Sequence, residues 1–388
     1  MGEKKSKKGK VAIIILIVAI LILGVVAGFL YYKMLNGNDQ QEEKKPIVFE
    51  KNDEKKVQIY SGNERPIAIM IDNHKAAMPH AGLSKAYIVY EIIVEGGESR
   101  LMALFKGQDV DKIGPVRSAR HYFLDYALEN DAIYVHYGWS PQAENDISNL
   151  SVNNINGISE DENDFWRTSL RSAPHNVLTS TENIMKIAKN KGYRTTSSAK
   201  SVLNYSVDEV NLGNDETTET DGNSSSNTAS TNSTKSNSNL SSNTLTSNSS
   251  STNVRAINAT SISIPYSESN NVKWTYDENT KRYSRTSKGI KETEWFDETD
   301  VTAKNIIIEF IANSTLDDDS GKGRQTLDTT GTKDGYYITN GKAIKIKCTK
   351  ATRKSKTEYK DLNGNEIKVN DGNTFIQIVP INSKVSIE

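Results

Sequence analysis

Two glutamates and an arginine follow one another closely where the chain should form a β-hairpin. Gly96-Gly97 is a turn signal between two apolar runs. If these glycines form a two-residue turn, Ile93 lies opposite Arg100 on the neighbouring strand. Glu91 and Glu95 then lie diagonal to Arg100 on the same face. The arrangement is either a functional site or an exposed cross-strand ion pair worth at most about 1 kcal/mol.

A second basic group follows Gly114-Pro115, where we expect a helix over residues 115–129. On that helix Arg120 falls inside an apolar stripe, and Arg117 lies at its edge. Two arginines in a first turn oppose the helix dipole, so anions should compensate them. We expect Arg117 to contact a ligand and Arg120 to meet a bound anion or a sheet carboxylate. The candidate carboxylates are Asp72, Glu91 and Glu95.

Polar residues also end two expected strands. Asp72 and Asn73 follow residues 66–71, and His136 lies near the end of residues 132–137. Loops that join strands to helices are common sites, because backbone N–H groups and exposed side chains meet there. The alternative for His136 is a packed histidine without a ligand.

No pattern indicates a metal, a cofactor or a nucleophile. The other histidines, which are His74, His80, His121 and His175, lack metal-ligand spacing. Ser140 has no nucleophile-elbow context, and Cys348 has no histidine nearby in the sequence. We therefore expect neither a metal nor a cofactor.

The elements that position these residues predict an α+β fold in two modules. Residues 61–205 should form a mixed sheet, with strands at 66–71, 86–94, 99–105 and 132–137 and with helices packed on it. The helices are expected at 115–129, after Ser140-Pro141 and at 181–191. Residues 255–388 should be mostly antiparallel β, with hairpins at Asn340-Gly341 and Asn363-Gly364. Each module is long enough to make its own core.

Two polar segments flank these modules. Residues 206–254 consist largely of Ser, Thr and Asn and should be disordered, because they cannot bury enough apolar surface to offset their ordering entropy. Residues 33–60 have little periodicity and predict a stalk.

The N-terminal region predicts attachment to a membrane. Residues 11–32 contain no charge and are long enough to span a bilayer, whereas five lysines precede them within residues 1–10. We expect a cytoplasmic tail, an uncleaved signal anchor and a single-pass protein whose C-terminal domains are extracellular. The alternative is a cleaved signal peptide ending at Ala27.

Overall composition argues against a nucleic-acid-binding protein and against a protein stabilised by disulfides. The formal net charge is −1, so a nucleic acid is not an expected partner. The single cysteine excludes an internal disulfide framework, and the extracellular part must be stabilised by packing.

Four stretches resemble the YerB-like family of bacterial envelope proteins: RPIAIMIDN, AGLSKAYIVYEIIVEGGESRLMALF, IGPVRSARHYFLDYA and GNEIKVNDGNTFIQIVP. The resemblance covers both modules. It implies a Gram-positive envelope protein with an α+β part and a β part, and it supplies no activity. Members are often labelled as lipoproteins, whereas here no lipidation cysteine follows the apolar segment, and we expect a transmembrane anchor in place of the lipid.

Our first hypothesis is a non-enzymatic, membrane-anchored protein that binds a cell-wall component or another envelope protein in a cleft of the first module. The second is a cell-wall glycan hydrolase with Glu91 or Glu95 as general acid and Asp72 as its partner. A structural spacer is the third. The expected cleft residues are Asp72, Asn73, Glu91, Glu95, Arg100, Arg117, Arg120 and His136.

Overall fold

The computed structural model describes residues 23–28, 56–213, 255–318 and 320–388. Residues 23–28 are helical (α1), and no helix among the described residues is long and apolar enough to cross a membrane. Residues 1–10, most of the expected anchor, residues 33–55 and residues 214–254 lie outside the described residues. The tail, the anchor and most of the stalk and linker therefore remain predictions.

The described chain from Lys56 onward forms one compact unit of short helices and many strands. Its α-helices are α2 (Phe123–Glu129), α3 (Pro141–Asn149) and α4 (Thr181–Asn190). Single 3₁₀ turns occur at Lys75–Ala77, Leu83–Lys85, Glu95–Gly97 and Gly157–Ser159. The strands are β1 (Ile67–Asp72), β2 (Ile88–Ile93), β3 (Ser99–Phe105), β4 (Ile133–His136), β5 (Asn154–Asn156), β6 (Trp166–Arg167), β7 (Val177–Leu178), β8 (Tyr205–Ser206), β9 (Ile257–Asn258), β10 (Ser261–Pro265), β11 (Asn271–Asp277), β12 (Arg282–Ser287), β13 (Ile290–Lys291), β14 (Thr302–Ala303), β15 (Asn305–Ile311), β16 (Asn313–Thr315), β17 (Gln325–Leu327), β18 (Gly331–Thr339), β19 (Lys342–Lys350), β20 (Thr357–Asp361), β21 (Val369–Asn370), β22 (Thr374–Pro380) and β23 (Ser386–Ile387).

One large sheet runs through both predicted modules. Its strand order in the described chain is β20-β19-β18-β15-β22-β2-β3-β1-β4-β5, with β9 beside β19. Strand β22 of the second module pairs in parallel with β2 of the first, and Tyr90 lies opposite Ile376. Both strands are fully buried on both faces over most of their length. The expectation of a separate core for each module is therefore wrong, whereas the α+β class is confirmed.

The two faces of this sheet are covered differently. Helices α2 and α3 pack on one face, where Phe123 and Tyr126 join the core. On the other face lie α4 and a smaller antiparallel sheet of order β13-β12-β11-β10-β23, with β14 beside β12. There the ring of Trp274 packs edge-on against Phe375 at a centroid distance of 4.8 Å. The sheet is thus a middle layer that both predicted modules share.

Most predicted elements are confirmed, but two segment boundaries differ. Ser140 caps α3 by accepting the Ala143 N–H at 3.2 Å, as the Ser-Pro signal predicts. The end of the predicted stalk is bound to the unit, because the Ile59 N–H donates to Asp371 at 2.9 Å. The start of the predicted linker is bound as well, since the Val210 N–H donates to Asn370 at 2.8 Å.

The shared sheet predicts that neither half folds alone. Residues 56–213 and 255–388, expressed separately, should each lack a cooperative unfolding transition, because each loses a partner at the β2–β22 pair and exposes a long apolar edge. The two fragments expressed together should restore one transition by circular dichroism. A sharp independent melt of either fragment would contradict the shared core.

Candidate functional site

Asp72, the last residue of β1, is buried among cationic groups. Its Oδ2 accepts a hydrogen bond from His175 Nδ1 at 2.7 Å and lies 3.3 Å from Arg117 Nε, while Oδ1 accepts the His74 N–H at 3.1 Å. Burial raises the pKa of Asp72, but Arg117 and these two donors together lower that pKa below its usual value. Asp72 is therefore an ionised carboxylate that its neighbours already bind.

The segment that carries Arg117 and Arg120 is not helical, so the predicted helix over residues 115–129 is wrong in its first half. Helix α2 begins only at Phe123. The backbone N–H of Arg117 donates to the Met70 carbonyl at 2.9 Å, which ties the segment to the end of β1. The helix-dipole argument therefore does not apply to these two arginines.

Arg120 nevertheless meets a carboxylate, and the carboxylate is Glu95. Arg120 Nε donates to Glu95 Oε2 at 2.9 Å, and Arg120 Nη2 contacts Oε1. Arg100 approaches the same Oε1 with Nη2 at 3.1 Å and donates from Nη1 to the Ser118 carbonyl at 2.6 Å. Burial raises the pKa of Glu95, yet the two guanidinium groups lower it to about 2. Burial, assisted by the charge of Arg120, lowers the pKa of Arg100 to about 10.

The predicted hairpin register is wrong by one residue. Ile92, and not Ile93, lies opposite Arg100, because the turn spans Glu95–Gly97 and closes with the Val94 N–H donating to the Glu98 carbonyl. A shift of one residue moves every side chain to the other face of the sheet. Glu91 therefore lies on the opposite face from Arg100.

Glu91 instead belongs to a buried network at the boundary between the two halves. Its Oε1 accepts hydrogen bonds from Asn73 Nδ2 at 3.0 Å and from Ser99 Oγ at 2.7 Å. Its Oε2 accepts from Arg285 Nη2 at 2.7 Å, and both side chains of this ion pair are fully buried. Asn270 Nδ2 donates to Ser99 Oγ at 3.0 Å and connects the smaller sheet to the same group.

Sequence reasoning missed Arg285, Glu292 and His80, which continue this network. Arg285 Nη1 contacts Glu292, and Glu292 contacts His80 Nδ1. Strand β12 alternates between inward and outward residues, and Arg285 shares the inward positions with Tyr283 and Ser287. A charged residue at an inward position of an alternating strand is a signal that could have been read from the sequence.

The hydrogen bond at Nε2 defines which ring nitrogen of His80 carries the proton. Nε2 donates to the Asp72 carbonyl at 2.7 Å, and a carbonyl oxygen can only accept. Burial, assisted by the charge of Arg285, lowers the pKa of His80 to about 4. The ring is therefore neutral at neutral pH, with its proton on Nε2, and Nδ1 contacts Glu292.

His136 is a packed histidine rather than a cleft residue. Its Nδ1 lies 2.9 Å from the Gly138 carbonyl, and its Nε2 lies 3.0 Å from Asn154 Nδ2. These partners define a neutral ring with a proton on Nδ1 and an acceptor at Nε2. Burial lowers the pKa of His136 to about 4. Both ring nitrogens are occupied, so a ligand has no free nitrogen to bind.

The structure thus brings five of the eight predicted residues together on the helix-bearing side of the sheet. Cross-strand pairing sets Asp72 opposite Arg100, and the other contacts above complete the group. We call the group the arginine cluster; it contains Asp72, Glu95, Arg100, Arg117 and Arg120. His175, which sequence reasoning missed, adds an imidazole to it, and no sequence signal marked this loop residue. The described residues contain no group of side chains that could hold a metal ion.

Arg117 differs from the other two arginines of the cluster. Its side chain is 27% exposed, whereas those of Arg100 and Arg120 are 7% and 8% exposed. Its Nε lies near Asp72 but makes no hydrogen bond in the described chain. Three guanidinium groups face two carboxylates, so one positive charge remains at the rim. Chemically, this arrangement can bind an anion.

Comparison with known proteins gives consistent matches across the chain. Residues 53–194 match the N-terminal domain, and residues 262–376 the C-terminal domain, of the family described as "Protein of unknown function (DUF3048)". A curated relative, "Putative lipoprotein YerB" of Bacillus subtilis (strain 168), is 29% identical over 345 residues, or 87% of this chain and 86% of the relative. The crystal structure of the YerB protein from Bacillus subtilis matches with a TM-score of 0.65 and 27% identity, covering 84% of this chain and 94% of that one.

Removing Glu91 should strongly destabilise the protein. Glu91→Ala leaves the buried guanidinium of Arg285 with one carboxylate fewer, which should lower the free energy of unfolding by about 3–5 kcal/mol. The control is Lys347→Ala, since the Lys347–Asp334 pair is exposed and the change should cost about 0.5 kcal/mol or less. Urea unfolding of both variants measures the difference. A loss below about 1 kcal/mol for Glu91→Ala would show that the pair is not structurally important.

His136 should make stability depend on pH. As the pH falls below about 6.5, the unfolded chain takes up a proton at His136. In the folded protein His136 stays neutral until about pH 4. The free energy of unfolding should therefore decrease by about 3 kcal/mol between pH 7 and pH 4, since each pKa unit corresponds to about 1.4 kcal/mol. Denaturant unfolding at both pH values should show a smaller decrease for His136→Gln than for the natural protein. Equal decreases in the two proteins would rule out this role.

Proposed function

We infer the role of this chain from the premise that it belongs to the YerB-like family of DUF3048 proteins. It is a membrane-associated envelope protein whose arginine cluster binds an anionic component of the cell wall. The lipoprotein name of the relative supports attachment to a membrane. In this chain the uncharged residues 11–32 provide the attachment, because the single cysteine, Cys348, lies far from them.

The observation that supports the binding role is the partial exposure of the Arg117 side chain. Its side chain is partly exposed, and its Nε, although 3.3 Å from Asp72 Oδ2, makes no hydrogen bond in the described chain. The other two arginines of the cluster are committed to Glu95 and to backbone carbonyls. A planar guanidinium at the rim of a positively charged group suits phosphate or carboxylate groups of a wall polymer.

Hydrolysis of a wall glycan is the weaker alternative. A general acid in a glycoside hydrolase needs a raised pKa so that it keeps its proton at neutral pH. Arginines lower the pKa of Glu95 to about 2, and Asp72 also has a lowered pKa. Glu91 is fully buried against Arg285. The carboxylates that the hydrolase hypothesis needs therefore serve as partners of arginines.

Arg117→Gln should weaken binding to wall polymer without harming the fold. Losing one charge-assisted contact should reduce affinity about tenfold and change the free energy of unfolding by less than about 1 kcal/mol. Arg120→Ala should instead cost about 2–3 kcal/mol of stability, because Arg100 is left as the only partner of Glu95. Co-sedimentation with wall sacculi, before and after their phosphate-containing polymers are removed, measures the binding. Lys347→Gln serves as a control for general surface charge.

Unchanged binding of Arg117→Gln would refute the anion site, and the spacer hypothesis would then be favoured. Binding that persists equally on polymer-free sacculi would show that the ligand is the glycan and not the anionic polymer. Binding that weakens steeply with salt is the expected behaviour of the natural protein, because ions screen a partly exposed charge.

The position of the C-terminal domains can be tested separately. Protease added to intact protoplasts should digest residues 56–388, because the lysines before residue 11 favour a cytoplasmic N-terminus. A membrane-bound protein that resists added protease until the cells are lysed would contradict this orientation. Release of a soluble form beginning near Gly28 would show cleavage instead.

A further inference from the structure

Two histidines flank Asp72 at the exposed rim of the arginine cluster, where Arg117 lies. The rings of His74 and His175 stack at a centroid distance of 4.6 Å, with an angle of 16° between their planes. His74 is exposed, and the side chain of His175 is 19% exposed. Each ring uses only its Nδ1 atom in a hydrogen bond, so neither Nε2 atom has a hydrogen-bond partner in the described chain. Both Nε2 atoms are therefore available to a ligand.

Asp72 fixes the position of the proton on His175. The ionised carboxylate can only accept, so His175 Nδ1 carries the hydrogen of the 2.7 Å contact with Asp72 Oδ2. In the neutral ring Nε2 then has a lone pair and no hydrogen, and it lies on the ring edge that is remote from Asp72. A lone pair repels the oxygens of an anion and accepts a hydrogen bond only from a donor such as a hydroxyl group.

His74 has the opposite arrangement. Its Nδ1 accepts the Ala76 N–H at 3.1 Å, so the hydrogen of the neutral ring is on Nε2. His74 therefore offers a donor to a ligand. Arg117 offers further N–H donors and a positive charge, and its Nε lies 3.3 Å from the same Asp72 oxygen that binds His175. The rim thus presents two donor side chains for the oxygens of an anion and one acceptor for a hydroxyl group.

A phosphodiester of a polyol combines these groups within one repeating unit. Its two free phosphate oxygens share a negative charge and accept hydrogen bonds, and a hydroxyl group lies on a carbon close by. The donors of the rim come from two side chains in separate segments, Arg117 and His74. This separation suits the tetrahedral oxygens of a phosphate better than the planar oxygens of a carboxylate, which match a single guanidinium group.

We propose that the rim of the arginine cluster recognises a polyol phosphate, in which a hydroxyl group lies close to the phosphodiester. Arg117 and His74 donate to the phosphate oxygens, and His175 Nε2 accepts the hydroxyl hydrogen. Asp72 is a positioning residue, because it holds the ring of His175 with its lone pair toward the ligand. This inference rests on the proposed anion site and adds the class of its ligand.

Two synthetic polymers that differ by one hydroxyl group per unit test the proposal. Poly(glycerol phosphate) and poly(propane-1,3-diol phosphate) have the same charge and backbone, but only the first has a hydroxyl group between its phosphates. Isothermal titration calorimetry of the full-length chain in detergent micelles measures both affinities at pH 8, above the range in which histidine normally titrates. The natural protein should bind the glycerol polymer about three- to tenfold more tightly, the effect of one hydrogen bond. Equal affinities would overturn the proposal.

Asparagine variants remove each free nitrogen and keep the contact made by Nδ1. In His175→Asn the side-chain amide can still donate to Asp72, so only the acceptor is lost and both polymers should bind equally. In His74→Asn the amide oxygen can still accept the Ala76 N–H, so only the donor is lost and both polymers should bind more weakly by a similar factor. His121→Asn, a change at a half-buried histidine outside the rim, should keep the natural preference. A folded His175→Asn protein that still prefers the glycerol polymer would refute the assignment.

Arg117→Gln separates this inference from the anion site itself. The variant should bind both polymers about tenfold more weakly and keep the preference for the glycerol polymer. If Arg117→Gln weakens both polymers but the natural protein does not distinguish them, the anion site stands and the recognition of a hydroxyl group is refuted. If Arg117→Gln binds both polymers as tightly as the natural protein, the anion site is refuted as well.

Two further ligands contain an anion beside a hydroxyl group and serve as competitors. Polygalacturonate carries carboxylates, and phosphatidylglycerol in mixed micelles carries the phosphate on a lipid. Both should bind more weakly than poly(glycerol phosphate). Tighter binding of polygalacturonate would show that the ligand is a carboxylate, and tighter binding of phosphatidylglycerol would show that it is a lipid headgroup. Either result would overturn the assignment to a polyol phosphate polymer.

Discussion

The guanidinium of Arg285 is the constraint on which the arrangement of the two halves depends. It is fully buried and has two carboxylate partners, Glu91 from the first half and Glu292 from the second. A buried charge without partners costs several kcal/mol, so Arg285 is tolerated only when the halves are closed on one another. The apolar β2–β22 pair contributes favourable burial at this boundary. The ion pair also requires one particular register between the two halves.

Short polar contacts connect this buried ion pair to the arginine cluster nearer the surface. Asn73 and Ser99 hold Glu91 from the side, and both lie next to residues of the arginine cluster in the sequence. Asp72 precedes Asn73, and Arg100 follows Ser99. Successive residues of a strand point to opposite faces, so the same two strand ends serve the buried network on one face and the arginine cluster on the other. The position of the cluster thus depends on the closure of the two halves.

The sequence predicted the positions of the strands better than the pairing between them. Strong apolar runs placed β1, β2, β3 and β4 correctly, because burial of such runs requires no knowledge of the partner. The hairpin register depended on whether the turn after Val94 has two or three residues. Gly96 and Gly97 both have positive φ, a conformation that glycine permits in either turn. The two glycines alone could not show whether the turn has two or three residues. The error in register therefore placed Glu91 on the wrong face of the sheet.

Two further errors have the same origin in long-range contacts. The apolar spacing around Arg120 fits a helix, but the N–H of Arg117 finds a carbonyl at the end of β1, and tertiary hydrogen bonding replaces the helix. The cores appeared separable because residues 255–388 read as an antiparallel module long enough to have its own core, but its strand β22 pairs with β2 of the first module. Its β2 neighbour lies almost 300 residues earlier in the chain, a pairing that no local pattern reveals.

The prediction that Arg120 would meet a carboxylate was right for a reason that did not depend on the helix. An arginine at a buried position must be paired wherever the backbone runs, and Glu95 was among the candidates. The same reasoning separates the arginines of the cluster. Arg100 and Arg120 are buried and satisfied by Glu95 and backbone carbonyls, so their charge serves the fold. Arg117 is partly exposed and shares Asp72 with His175, so its charge is the least committed of the three. Asp72 keeps a second partner in His175 when Arg117 turns toward a ligand, so the charge of Arg117 is the one best placed to bind an anion.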